Sequence, residues 1–455
     1  MNVIFISSEC SPFAKASSTA DLVFKLSKEI ERLGHNVKVF LPRYGSIDPS
    51  ICHIERIPID FKVRFNDSNI LTLVYKGILQ GSLVSLFFIE SQNYFSNSKE
   101  IHLTNLQDEE RFKFFSVATL EVISKLKFDA DIIHLFNTDV AYTTKLLRSK
   151  NIEYVYLGKV GVVFTISEIK NNMLTAIKEA VNNSDCITTV SKSYAHELLA
   201  NTHDTGLSEL LLKKKDSFCG ILSGIDDDIY NPESDSEIAL NYSKNYFSPG
   251  KRKCKEDLLE LTGLNKDLQT PIFGVIADLV SQNELEILTY SISYLLSLNI
   301  QLVILEKYNS REELIKLQDK YKNIKIIQSN EISLIKKFFA GTDFFINLNS
   351  STPCGTDILT AMRYGSIPLT YETGAIRDIL FDIENTEEGN GIIFKNYLKE
   401  DFLIAIEKAV KIYKNKEKWP RLVKQAMSFD SKSLDAGKQY IKCYEKIIKT
   451  SITIG

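Results

Sequence analysis

Short runs of β-branched and aromatic residues recur along this chain, and nearly every one is followed by a stretch with helical spacing of its apolar residues. Val3–Ile6, Val37–Leu41, Ile132–Leu135, Val160–Ile166 and Ile187–Val190 read as strands in the first half. Phe273–Ile276, Leu302–Leu305, Ile324–Ile327, Phe344–Leu348 and Ile367–Thr370 read as strands in the second. Leu71–Tyr75 and Ser82–Ile89 read as two further strands joined by a Gly-containing turn. Between the first two strands, Leu22, Val23, Leu26, Ile30 and Leu33 fall on one helical face, which predicts a helix over 19–33. Thr19 and Asp21 are the expected capped start and Gly34 the expected stop. A strand can lie parallel to its neighbour only if a long crossover brings the chain back, and a helix is the usual crossover. Strand–helix alternation therefore predicts an α/β fold with doubly wound parallel sheets.

At 455 residues the chain is too long for one ordinary core, and the pattern occurs twice. The expected division is 1–232, 233–430, and a C-terminal helix over 431–455 that packs back on the first domain. The polar stretch from Asn231 to about Glu256, with Pro232 and Pro249, is the expected linker. Two such domains face a central cleft with the carboxyl ends of their strands, where open α/β sheets bind ligands.

Composition narrows the partners. With 55 basic and 58 acidic residues the net charge is −3, which offers no field for nucleic acid or anionic lipid. The basic triplet Lys213–Lys215 follows Leu210–Leu212 and reads as a helix C-terminus. No segment reaches the ~20 apolar residues of a membrane span. The opening MNVIFISSE lacks the basic flank of a signal peptide and reads as a strand, so a cytoplasmic location is expected. Seven scattered cysteines without a Cys-x-x-Cys pair point to reduced thiols, and neither a disulfide framework nor a metal site is expected.

Several long blocks carry chemistry: SSECSPFAKASSTADLVFKLSKEI, DEERFKFFSVATLE, DCITTVSKSYAHEL, GILSGIDDDIYNP, PIFGVIADLVSQ, TPCGTDILTAMRYGSIPL and TGAIRD. In this order they resemble the bacterial glycogen synthase and starch synthase family over nearly the whole chain. The resemblance implies the GT-B fold, ADP-glucose as donor, and extension of an α-1,4-glucan with retention and without a metal or other cofactor. It assigns Lys15, Cys354, Gly355, Thr356, Thr373 and Gly374 to the donor side, and Asp21 and His134 to the acceptor side.

Each retained residue also has an ordinary reading. Lys15 reads equally as a solvated loop lysine, Asp21 as a first-turn acid favoured by the helix dipole, and His134 as a polar core group. Gly355 and Gly374 read as backbone glycines, and Cys354 has no nearby histidine that would make it a nucleophile.

Against the family pattern, the positions used for chemistry are replaced. The resemblance sets Asp278 and Asn283 where the family has the Arg and Lys that neutralise the leaving diphosphate. Thr352 stands for the Glu of Glu-Pro-Cys-Gly, Ser167 for the His of Phe-Thr-Ile-His-Asn, and Asn137 falls within the His-x-His-Asp-Trp-His block. Ser17 and Ser18 replace two glycines, a strain of about 1 kcal/mol if either position needs a positive φ. Only about 20 residues separate Ser167 from Cys186, a shortened acceptor-side loop. A charge-assisted hydrogen bond contributes about 1.5–3 kcal/mol, so losing two costs roughly 3–6 kcal/mol. Three outcomes follow from this. The chain is an impaired family member acting as a binding or regulatory homologue, meeting ADP-glucose or α-glucan weakly and partnering an intact synthase or a glycogen-metabolism protein. Alternatively it is an active glucosyltransferase with an altered donor or acceptor site. The third is a product without remaining role.

Overall fold

Ten strands of the first unit build one sheet in the computed structural model, which describes residues 1–149, 157, 159–169, 174–200, 206–277, 282–306, 312–329, 331–384, 388–430 and 435–454. They are β1 (Asn2–Ser7), β2 (Asn36–Pro42), β3 (Glu55–Arg56), β4 (Phe61–Phe65), β5 (Ser68–Ile78), β6 (Ser85–Glu90), β7 (Ile132–Phe136), β8 (Gly161–Ile166), β9 (Cys186–Thr189) and β10 (Phe218–Gly220). Their order is β10-β9-β8-β7-β1-β2-β6-β5-β3, with β4 paired to β5. The stretch from β10 to β6 is parallel, and β3, β4 and β5 add an antiparallel edge. β7 and β8 are buried at every residue, as strands covered on both faces must be. β3, β4 and β10 lie outside the sequence expectations.

The helix Ser18–Arg32 covers β2, and the helix Ala436–Ile454 returns to pack on it and on β8. Gly437 N donates to Glu29 Oε2 at 3.0 Å, fastening that return. This first unit comprises Met1–Ser223 and Leu434–Gly455.

The second unit, Gly224–Ser433, holds β11 (Ile272–Ile276), β12 (Gln301–Glu306), β13 (Ile324–Gln328), β14 (Phe344–Asn347), β15 (Ile367–Tyr371) and β16 (Ile392–Phe394). All are parallel in the order β13-β12-β11-β14-β15-β16. Counted within the unit this is 3-2-1-4-5-6, the order of dinucleotide-binding sheets. β16 was not foreseen from the sequence.

The expected linker over 231–256 is instead folded structure of the second unit. Its Asp235 is buried, accepting from Lys336 Nζ at 3.2 Å and from the Tyr364 hydroxyl. The helix Ser248–Thr262 begins inside that stretch, and its Lys255 Nζ donates to Asp343 Oδ2 at 2.7 Å. Low apolar content concealed a segment held by buried polar contacts rather than by hydrophobic area, and the boundary falls at 223 rather than 232. Among the described residues no helix is long and apolar enough to cross a membrane.

Candidate active site

In the first unit the winding reverses between β1 and β7, so the loops beyond their carboxyl ends form the natural ligand position. There Ser8 Oγ donates to Asp139 Oδ2 at 2.5 Å, and Tyr44 Oη donates to Ser8 O at 2.8 Å. The His102 ring spans two acids, with Nδ1 3.4 Å from Asp108 Oδ2 and Nε2 3.8 Å from Asp139 Oδ2. Glu9 is 2% exposed and accepts from the amides of Ala16 at 2.7 Å and Ser17 at 2.8 Å. Burial pushes its carboxyl up, against the hydrogen bonds from Ser17 and Ala16 that favour its charge.

The helix Ser18–Arg32 is capped two residues earlier than the sequence suggests. Ser17 is the N-cap, its side chain accepting from Thr19 N at 3.1 Å. Ser17 has φ −140°, and Ser18 is not among the residues with positive φ, so neither serine carries the strain considered above. Thr19, released from capping, shares a 2.6 Å hydrogen bond between its Oγ1 and Ser167 Oγ. Asn137 Nδ2 approaches the same Thr19 Oγ1 at 3.4 Å, and Asn137 N donates to Thr165 O at 2.9 Å. Ser167 and Asn137 are thus brought together, in a neutral network, while Asn137 Oδ1 is buried without a hydrogen-bond partner. Lys15 Nζ lies 2.6 Å from Asp21 Oδ2, and Ser11 Oγ donates to Asp21 Oδ1 at 2.7 Å. Both members of that ion pair are about one-third exposed, at 36% and 31%, which leaves it screened by water.

His134, expected on the acceptor side, does not reach this surface. It is fully buried on β7, with Nδ1 2.7 Å from Tyr444 Oη and Nε2 2.6 Å from Thr165 Oγ1. Burial drives its pKa well below the ordinary value, so the ring is neutral. It joins the sheet to the returning helix.

In the second unit the reversal lies between β11 and β14. Beyond β14, Asn347 Nδ2 donates to Thr352 Oγ1 and to Thr370 Oγ1, each at 3.0 Å. Ala375 N donates to Thr352 O at 2.9 Å, tying the loop after β15 to the loop after β14. Gly374 has φ 51°, and a Cβ there would lie 2.4 Å from Thr352 O. Gly355, at φ 66°, starts the helix Thr356–Arg363. Thr373 is 5% exposed, and its carbonyl accepts from Ile376 N at 3.0 Å. Thr352, Cys354, Gly355, Thr356, Thr373 and Gly374 therefore form one cluster, whereas Lys15, Asp21, Asn137 and Ser167 belong to the other unit. Asp278 lies outside the described residues. Asn283 lies in the first turn of the helix Gln282–Ser297, with its side chain outside the description.

Two acidic residues at these loops were not singled out from the sequence, Glu9 and Glu284. Glu284 is 4% exposed, and its Oε1 accepts from Ser350 N at 3.0 Å and Ser350 Oγ at 3.2 Å. The available signal was position, since each follows a buried strand, β1 or β11, and a buried acid there needs loop partners to satisfy it.

Comparisons extend over the whole chain. Residues 2–172 match the family described as starch synthase catalytic domain, and residues 261–426 match glycosyl transferases group 1. The chain is 31% identical to a glycogen synthase of Clostridioides difficile (strain 630), covering 98% of this chain and 100% of that protein. It is 30% identical to a glycogen synthase of Clostridium novyi (strain NT), over 98% and 99% of the two chains. Among solved structures it resembles the catalytic domain of starch synthase IV from Arabidopsis thaliana bound to ADP and acarbose. That match has a TM-score of 0.89 at 26% identity and covers 98% of this chain and 99% of the other. A sucrose-phosphate synthase from Thermosynechococcus elongatus shares the fold at a TM-score of 0.65 and 12% identity, over 99% of each chain.

Proposed function

This chain belongs to the glycogen and starch synthase family, with the paired sheets of the GT-B fold, and within it we propose an impaired copy that binds rather than turns over. Its ligands are those of the family, ADP-glucose and α-glucan, held weakly. Its partner is an intact synthase or another protein of glycogen metabolism in the cytoplasm.

The observation that supports this reading is the polarity around Thr352. Where the resemblance expects a carboxylate, a neutral hydroxyl accepts from Asn347, whose amide also engages Thr370. The replacements at Asp278 and Asn283 remove two cations on top of that, and Ser167 replaces a histidine. Losing two charged contacts lowers binding on the order of a hundred- to ten-thousand-fold.

The test is glucosyl transfer from ADP-glucose to glycogen by the purified full chain, beside the relative from Clostridioides difficile. The expected rate is about 10²–10⁴-fold lower. Turnover equal to the relative's would overturn the proposal. Titration calorimetry with ADP and ADP-glucose then measures what binding remains.

One observation favours a second reading, an active transferase with an altered donor or acceptor. Glu284 brings a buried carboxylate to the loop after β14 from a different element. Under that reading a purified chain transfers a sugar at a substantial rate, and Glu284→Gln abolishes the transfer while the fold survives.

A further inference from the structure

Three thiols separated by most of the chain's length meet in the first unit. Cys186 is the first residue of β9, Cys219 the middle residue of β10, and Cys443 lies on the helix Ala436–Ile454. β9 and β10 are adjacent parallel strands, with Cys219 in register with Thr188. The helix is pinned across them by Lys446 Nζ, which donates to Asp216 O at 2.7 Å, and by the buried rings of Tyr440 and Tyr444. The three sulfurs all lie within 4.8 Å of one another, and Cys219 Sγ is 3.8 Å from Cys443 Sγ.

We propose that Cys186, Cys219 and Cys443 form a binding site for a thiophilic d¹⁰ cation, Zn²⁺ in the first instance, with the fourth coordination position open to the adjoining pocket.

The sulfur spacing fits such an ion. A Zn–S bond of about 2.3 Å in tetrahedral geometry sets sulfurs about 3.8 Å apart. A disulfide would use two of these thiols and leave the third unexplained, whereas a cation uses all three. Two of the thiols are carried by paired strands and the third by a helix, so the backbone around each is held by regular hydrogen bonds. Access exists as well. An open pocket of about 490 Å³ reaches Cys219 and Cys443 and is also lined by Lys192, His196 and Gln439. A water from that side would supply the fourth ligand. Binding displaces the thiol protons to solvent. Cys186 sits at the amino end of its strand, away from the carboxyl-end loops of the candidate active site.

The cysteine spacing in sequence gave no hint of this, because the ligands come from two neighbouring strands and a helix that returns after the whole second unit. A cation here would clamp that helix to the sheet edge.

The test uses the full chain, reduced and then loaded anaerobically with Zn²⁺ or Co²⁺ and desalted. One metal per chain by elemental analysis is expected, with a thiolate-to-cobalt charge-transfer band in the Co²⁺ form. Cys219→Ser and Cys443→Ser should each weaken retention at least tenfold, while Cys52→Ser leaves it unchanged. Circular dichroism of each variant keeps loss of metal distinct from loss of fold, and the loaded wild type should melt at a higher temperature than the chelated protein. Metal content no higher than in the variant lacking all three thiols would overturn the proposal. So would isolation of a Cys219–Cys443 disulfide that persists when the metal is offered under mild reduction. Neither result bears on glucosyl transfer, which is measured separately.

Discussion

The two sheets turn their chains at equivalent places by different means. Beyond β7, in the first unit, the positive-φ residue is Asn137, at φ 68° and ψ 176°. In the second unit, the loops after β14 and β15 place Gly355 at φ 66° and Gly374 at φ 51°. Around Asn137 the loop is held by side chains, through Thr19, Ser167, Ser8 and Asp139. Around Gly374 it is held by backbone, with Ala375 N on Thr352 O and no room for a methyl group. A side-chain network tolerates exchange of single members at moderate cost, while a backbone contact at 2.4 Å to an added Cβ does not. The second unit's loops should thus be the more brittle of the two.

The sharpest way to break that contrast is Gly374→Ala. Left-handed strain and a collision with the Thr352 carbonyl together should cost about 3 kcal/mol, read as a fall in the second unit's unfolding midpoint in urea. An effect under about 1 kcal/mol would show that the two loops are not locked to each other.

Next in size is His134→Phe in the first unit. It strands the Tyr444 hydroxyl in the core, at a cost of about 2 kcal/mol. The same residue sets a pH signature. Its folded pKa lies well below 6.5, so on acidification the unfolded chain takes up a proton that the native chain refuses. Stability should decline as pH falls below about 6.5, by up to ~1.4 kcal/mol per unit, and the Phe variant should lose that slope. Glu9 has the opposite sign. Its raised carboxyl favours the native state at pH values below 4.5, and that contribution is lost as pH rises through the folded value. It therefore cannot imitate the acid-side loss.

What was legible in the sequence was whatever depends on local pattern. Buried strands such as β7, broken only by His134, and β11 announce themselves as apolar runs, and the helix Ser18–Arg32 through its spaced leucines and isoleucine. Strands of two or three residues, β3, β10 and β16, carry too little pattern to be seen. The segment 231–256 misled because it is fastened by Asp235, Tyr242 and Lys255 through buried polar contacts, which leave no periodic trace. The resemblance to the family named Thr352, Gly355 and Gly374, which lie in the loops after β14 and β15, and Asn137 and Ser167, which lie just after β7 and β8. It could not locate Glu284 or the Thr19–Ser167 bond, because those pairings depend on how loops far apart in sequence are folded together.

A smaller loss is expected from Gly355→Ala. The left-handed backbone costs an alanine about 1 kcal/mol, and the added Cβ would meet the Ile379 Cδ1 methyl at 2.6 Å and, less closely, the Ala375 Cβ at 3.3 Å. A side-chain tip can move where a carbonyl cannot, so the effect should stay near 1–2 kcal/mol, below that of Gly374→Ala.

The smallest change sharpens the comparison from the other side. Asn137→Gly gives the first unit the residue type that the second unit uses. Glycine takes φ 68° without strain, and the substitution also removes a buried Oδ1 that has no partner. Against those gains stand the long 3.4 Å contact to Thr19 and the greater freedom of glycine in the unfolded chain. The terms nearly cancel, and a change within about 0.5 kcal/mol is expected by thermal or urea unfolding. A loss above about 1.5 kcal/mol would mean that the Asn137 amide anchors Thr19 and Ser167 far more firmly than a 3.4 Å contact suggests. In that event the first unit's loop would be as brittle as the second's, and the distinction between side-chain and backbone locking would fail.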